Sequence, residues 1–159
     1  MAYNIFLYLH IVSYITWLAA FVVSLVFYQK VKNAQGTPDE RKLILKERKI
    51  TMMMAHSAIL GILISGGAMV SIPSGPQWGW FPFSQYGWLA AKQVIFVVIL
   101  ILVFAIGTPV DVKLKKMLKN SENDVMNDVQ RSQWHKAWNI TLLAYLLVVV
   151  NTYLGLFRP

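Results

Sequence analysis

Ile5–Tyr28 reads IFLYLHIVSYITWLAAFVVSLVFY, and this stretch decides the fold. It carries no formal charge, and its 24 residues exceed the roughly 20 apolar residues that a helix needs to cross a bilayer. One imidazole, His10, interrupts it, and Trp17 follows seven residues later. Seven residues is about two helical turns, so both side chains share one stripe of the helix. Against lipid the imidazole would be costly, whereas against other helices it begins a buried site.

Working outward, three more apolar segments follow at roughly 50–72, 88–110 and 138–157, after the first at 5–28. The expectation is an all-α protein: a single integral-membrane four-helix bundle over residues 1–159. The chain is 57% hydrophobic and 14% charged, and its length suits one bundle rather than several domains. With no cysteine it has no disulfide, iron–sulfur cluster or thiolate metal site.

The net charge of +8 does not point to nucleic acid, because the charge is segregated. Of 15 basic residues, seven (Lys30, Lys32, Arg41, Lys42, Lys46, Arg48, Lys49) separate the first two spans. Six more (Lys113, Lys115, Lys116, Lys119, Arg131, Lys136) separate the last two. By the positive-inside rule these two loops face the cytoplasm of a bacterial-type inner membrane, and both termini face the outer, periplasmic side. The opening MAYNIF has no basic n-region and the first span is too long for a cleaved signal, so it is read as retained.

Helix starts are also encoded. Thr37 as N-cap, Pro38 at the first helical position and Glu40 completing a capping box start the second helix on the cytoplasmic side. Ser121, followed by Glu122 and Asp124 at the positive end of the dipole, is the expected cap of the fourth, which makes His135 helical. Between spans two and three, SIPSGPQWGWFPFSQYGW is too rich in Pro and Gly for a long helix. Its Trp78, Trp80, Phe81, Phe83 and Tyr86, with Trp88, read as an interfacial aromatic belt or as a lid over a flat ligand. In the second span Gly61, Ser65, Gly66 and Gly67 permit close helix packing.

Depth decides which polar groups can meet, at about 1.5 Å per helical residue. His10 lies five residues past Ile5, Lys92 four past Trp88, and Asn151 six before Phe157. These three therefore share one level in the outer half. Lys92 is a functional candidate because an intramembrane amine is expensive, the alternative being snorkelling to the interface. His10 either bonds a neighbour such as Tyr14 or, paired in depth with Lys92, ligates haem iron. On the inner side, His56 and His135 are candidates for a second haem, provided a tilt or stagger removes their depth difference. Met52 and His56, at i, i+4 with Met53 and Met54 alongside, offer a thioether–imidazole set suited to Cu(I), or else simple core filling. No HExxH, nucleophile–base pair or paired intramembrane carboxylate is legible, and all seven acidic residues are read in the cytoplasmic loops.

The spacing His10–x6–Trp17, the basic pair Arg48-Lys49 before the second span and Gly87-Trp88-Leu89-Ala90-Ala91-Lys92 opening the third together resemble one family. It is that of the HemJ-type protoporphyrinogen oxidases and their relatives in the CopD-like membrane superfamily. Asn139 and the ending Arg158-Pro159 are similar in the same sense. The stretch Val23–Phe27 lacks the arginine usual there, and Ile140 follows Asn139 where that family has Glu. The resemblance implies b-type haem bound through His10, with Lys92 essential or close by. From depth and position, Lys92 is expected as second ligand or propionate partner, with Asn151 and Trp17 also lining the site.

The functional expectation is thus a haem b electron-transfer protein, with one haem or two. Its expected partners are the bilayer, a quinone or respiratory subunits, or another copy of the chain, and no nucleic acid. Protoporphyrinogen oxidation, an oxidoreductase activity, is one alternative. Copper or small-solute transport through Met52, Met53 and His56 is another, and a purely structural subunit a third.

Overall fold

The computed structural model describes residues 1–121 and 123–157. Among the described residues there are five α-helices: α1 (Ala2–Asn33), α2 (Pro38–Ser71), α3 (Gly87–Leu100), α4 (Thr108–Lys119) and α5 (Asp128–Phe157). A π-helical stretch, Ile101–Gly107, joins α3 to α4, so Gly87–Lys119 is one continuous rod. Four rods of 32, 34, 33 and 30 residues result, each long and apolar enough to cross a membrane. At about 1.5 Å per residue each exceeds a hydrocarbon core of roughly 30 Å, so the charged flanks are helical too.

The rods run up and down. His10 bonds Ser65 near one end of the α1–α2 pair and Ser24 bonds Glu47 near the other. Asn151 bonds Lys92 and Gln133 bonds Val110 in the same antiparallel sense between α5 and the third rod. Residues 2–10, 66–92 and 151–157 therefore share one end, here the terminal end. The connections 34–37 and 120–127 share the other, basic end.

Packing is mainly within pairs, α1 on α2 and α3 on α5. Small residues make the first pair close: a Cβ at Gly61 would overlap Ser13 Oγ, and one at Gly66 would lie 3.3 Å from His10 Cε1. Mid-length, Trp17, Ala20, Ala58, Ile59, Ile62, Ile99, Tyr145 and Val148 form a core across all four rods. A second core of Val31, Ile44, Leu114, Leu118, Met126, Trp134 and Ala137 fills the basic end. There Tyr28 stacks on Trp138 at 4.5 Å and on Trp134 at 5.4 Å. Outward faces are apolar as well, as at Val22 and Leu60, which is the all-round pattern of helices in lipid.

Two local expectations change. Thr37 is the N-cap of α2 with Pro38 following, but its hydroxyl donates back to Ala34 O at 2.7 Å. Glu40 instead accepts the Gly36 N–H at 2.8 Å, so the box is shifted by one residue. Ser121 does not cap α5. Asn127 Oδ1 accepts the Gln130 N–H at 2.9 Å, and Gln130 Oε1 accepts the Asn127 N–H at 3.0 Å. This reciprocal box satisfies two donors at the helix start, which Ser121, seven residues upstream of Asp128, cannot do. Ser121 Oγ donates to Asn123 O, and Ser121 O accepts from Arg41, so this connection is tied down against α2. His135 is helical as expected. The Glu122 dipole contact and the Arg158-Pro159 ending lie outside the described residues.

The π-helical stretch also has a sequence cause. Pro109 has no N–H and its ring crowds the preceding turn. The ladder widens just before it: the Thr108 N–H reaches Val103 O, five residues back, and Thr108 Oγ1 donates to the same carbonyl at 3.0 Å.

Candidate functional site

At the terminal end the two helix pairs part around a cavity of about 480 Å³. Its walls are mostly apolar, from Leu7, Ile11 and Leu18 on α1, Leu63 and Val70 on α2, and Phe96 and Leu100 on α3. His10, Tyr14, Lys92 and Asn151 supply polar groups. The depth argument from sequence therefore does bring His10, Lys92 and Asn151 to one cavity.

His10 is held in one tautomer. Ser65 Oγ donates its only proton to Gly61 O, so it must accept at its other contact, 2.8 Å from His10 Nδ1. Nδ1 is thus protonated and Nε2 keeps its lone pair. This is the arrangement in which an imidazole ligates a metal, with its second nitrogen oriented by a neighbour. Ser65 was legible only as a packing residue; its place one turn from Gly61 in the small-residue stripe was the available signal.

Lys92 turns inward. Its Nζ lies 5.6 Å from the Tyr14 ring centroid, where Gly155 leaves room, and a Cβ at Gly155 would overlap it. Tyr14 meets His10 edge-on at 5.1 Å, so one ring touches both basic groups. Asn151 is buried; its amide donates to Lys92 O at 3.3 Å and its Oδ1 has no hydrogen-bond partner. Trp17, expected beside His10 on the same stripe, does not line this cavity. It is 1% exposed in the mid-length core, two turns deeper.

The aromatic connection covers the site. Trp78, Trp80 and Phe81 line the cavity, and Trp80 packs over Gly67, whose Cβ would lie 3.5 Å from the indole. Gln93 clamps the segment by accepting the Phe81 N–H and donating to Gly79 O. Gln77 and Phe81 both have left-handed backbones, at φ of 53° and 49°, a strained conformation for residues with a side chain. Trp80 and Phe83 are also exposed, at 60% and 68%, so the segment both lines the cavity and presents aromatic rings outward, as the two readings of it separately expect.

Comparison with family models, curated proteins and solved structures finds no match. Fold and site geometry therefore stand on this chain alone.

The basic end corrects the reading of the acidic residues. Asp39, Glu40, Glu47, Asp111 and Asp128 are helical rather than in loops, because the helices run past the apolar segments. Glu40, Glu47 and Asp111 are buried. Arg48 Nε lies 2.9 Å from Glu47 Oε2, and Arg48 Nη1 lies 3.3 Å from Asp111 Oδ1 and 2.9 Å from Thr141 Oγ1. Ser24 and Thr51 donate to Glu47 Oε1. An arginine read in the first basic loop thus joins three rods, and two carboxylates that sequence placed in separate loops share it. Separation along the chain, 47 against 111, hid that pairing.

The two inner histidines are placed apart. His56 Nδ1 donates to Met52 O at 2.7 Å, and His56 borders a small cavity of about 50 Å³. His135 is exposed, tilted against Trp134, and does not line that cavity. A space of that volume does not hold a macrocycle. Met52 Sδ accepts from Lys115 Nζ at 3.3 Å, which sets an ammonium where Cu(I) would need a free thioether. Among the described residues no group of three His, Asp or Glu side chains is arranged to hold a metal ion.

Proposed function

We propose that this chain is a multi-pass protein of a bacterial-type inner membrane, and that it binds one haem b in the terminal-end cavity and takes part in electron transfer. The carrying observation is His10: Ser65 fixes its Nδ1–H tautomer, which leaves Nε2 for iron at the wall of an apolar cavity. About 480 Å³ falls within the range of roughly 300–1,000 Å³ common for ligand sites. Gly155 and Gly66 keep the walls open where a Cβ would overlap Lys92 Nζ or crowd His10 Cε1, and Trp80 rests against Gly67.

When bound, haem b supplies a one-electron iron couple. The protein's own part is to orient and to exclude. His10 would hold the iron through Nε2, and Lys92 would meet a propionate through its ammonium or, deprotonated, give its nitrogen to the iron. Tyr14 positions both basic groups, Asn151 fixes the backbone at Lys92, and Trp78, Trp80 and Phe81 close the cavity against water. The positive-inside rule supports a cytoplasmic basic end and periplasmic termini. Electron partners would then be a quinone or neighbouring respiratory subunits in the bilayer.

The resemblance in the Gly87–Lys92 motif keeps protoporphyrinogen oxidation as the second reading, and complementation of a strain lacking that activity separates the two. The first reading is tested by haem content. His10→Ala is expected to lose the haem while keeping its helical content, and full haem retention with an unaltered spectrum would remove the ligand assignment.

A further inference from the structure

We propose that the cavity of about 50 Å³ at the basic end is a hydrated proton-binding site, in which water links the Asp111 carboxylate to the imidazole Nε2 of His56 and satisfies Arg48. Four observations converge on it. Arg48 has a side chain only 2% exposed, and its Nη2 has no hydrogen-bond acceptor. An arginine donates through five N–H groups, and leaving one buried without a partner is costly. The cavity beside it exceeds the roughly 10–15 Å³ that one water requires, and Thr51, His56, Asp111 and Thr141 give that water polar neighbours.

His56 supplies the third observation. Its Nδ1–H is committed to Met52 O, so Nε2 carries the lone pair and is the basic nitrogen available at the cavity. The fourth is the wall itself, where the π-helical stretch contributes Val103 and Gly107. Wider helical turns of this kind occur frequently at functional sites.

Charge selects the occupant. Arg48 and Lys115 balance Glu47 and Asp111, so no net charge draws a further metal ion or anion into the cavity. The volume excludes organic ligands, which leaves water and the proton it carries. The charged and titratable groups facing the site are Glu47 and Arg48 on α2, Asp111 and Lys115 on α4, and Tyr145 on α5; α1 brings Ser24 and Trp17. A proton arriving on water passes to Nε2, breaking an O–H bond and forming the imidazolium, or to Asp111, forming the neutral acid. In both cases the water remains. Ionisable groups enclosed within a span commonly mark such proton stations.

The test uses the full chain in lipid nanodiscs with 15N-labelled histidine; only three histidines are present, so each signal is assignable. Magnetisation transfer from water to His56 Nε2 is expected in the wild type and lost in Ala144→Leu, which fills the cavity. Infrared titration of the same sample is expected to show a protonated-carboxyl band that Asp111→Asn removes. Asp111→Asn preserves volume and carries the test if Ala144→Leu fails to fold. No water transfer to His56 in the wild type would overturn the proposal. So would transfer with neither imidazolium nor carboxylic acid forming across the pH range in which the protein stays folded, since the water would then be structural only.

Discussion

Where the chain begins, the helix pairs part around about 480 Å³; at the opposite end the same four rods leave about 50 Å³. Side-chain size and charge account for the difference. Gly66, Gly67 and Gly155 line the open end, whereas Tyr28, Trp134 and Trp138 stack in the closed one. Polar groups follow the same division. At the open end His10 Nδ1 is held by Ser65 and the Asn151 amide by the Lys92 carbonyl, while Asn151 Oδ1 has no hydrogen-bond partner. At the closed end Arg48 pairs with both Glu47 and Asp111, and only its Nη2 is left without an acceptor. One four-helix design thus contains an open cavity toward one end and an ionic lock toward the other.

The largest expected effect is at the lock. Arg48→Ala leaves two buried carboxylates without their counter-ion and should destabilise the fold by about 3–5 kcal/mol, read from thermal unfolding in detergent. Adding Glu47→Gln and Asp111→Asn should recover most of that loss. If the single variant melts like the wild type, the cluster is not what closes the basic end.

Next comes the seam shared by both ends. Gly61→Val places a Cβ on Ser13 Oγ and should cost about 1–3 kcal/mol by separating α1 from α2. It should also displace Ser65 from His10, so a stability loss with an unchanged His10 nitrogen signal would show that seam and site are independent.

Asn127→Ala removes one half of the α5 capping box and should cost about 1 kcal/mol, with no effect at the terminal end. The smallest global effect is expected from Gln93→Ala, about 0.5–1 kcal/mol, because it frees only the 79–81 segment. Locally the change should be large. Trp80 fluorescence should become more accessible to an aqueous quencher, and an unaltered quenching profile would show that Gln93 does not hold the lid.

What was legible in the sequence follows the range of the interaction. Four spans were readable because lipid demands long uncharged runs, and the level of His10, Lys92 and Asn151 followed from a fixed rise per residue. The start of α2 was nearly right, since Thr37 and Pro38 act locally. The start of α5 was not, because Asn127 and Gln130 make a better box than Ser121 and only the three-dimensional path shows what Ser121 does instead. The Arg48 cluster was hidden for a different reason. Its partners come from residues 47, 111 and 141, and no periodicity relates positions on three different rods. Trp17 shared a stripe with His10 but not a neighbour, since two turns of depth carry it from cavity to core.

The most direct test is a reduced-minus-oxidised visible spectrum of detergent-purified protein, made with ample haem supply and paired with a pyridine haemochrome assay. A b-type spectrum at one haem per chain, lost in His10→Ala and kept in His56→Ala, is the predicted result. Protein that is folded but free of haem, or haem retained without His10, would contradict the account of the open cavity.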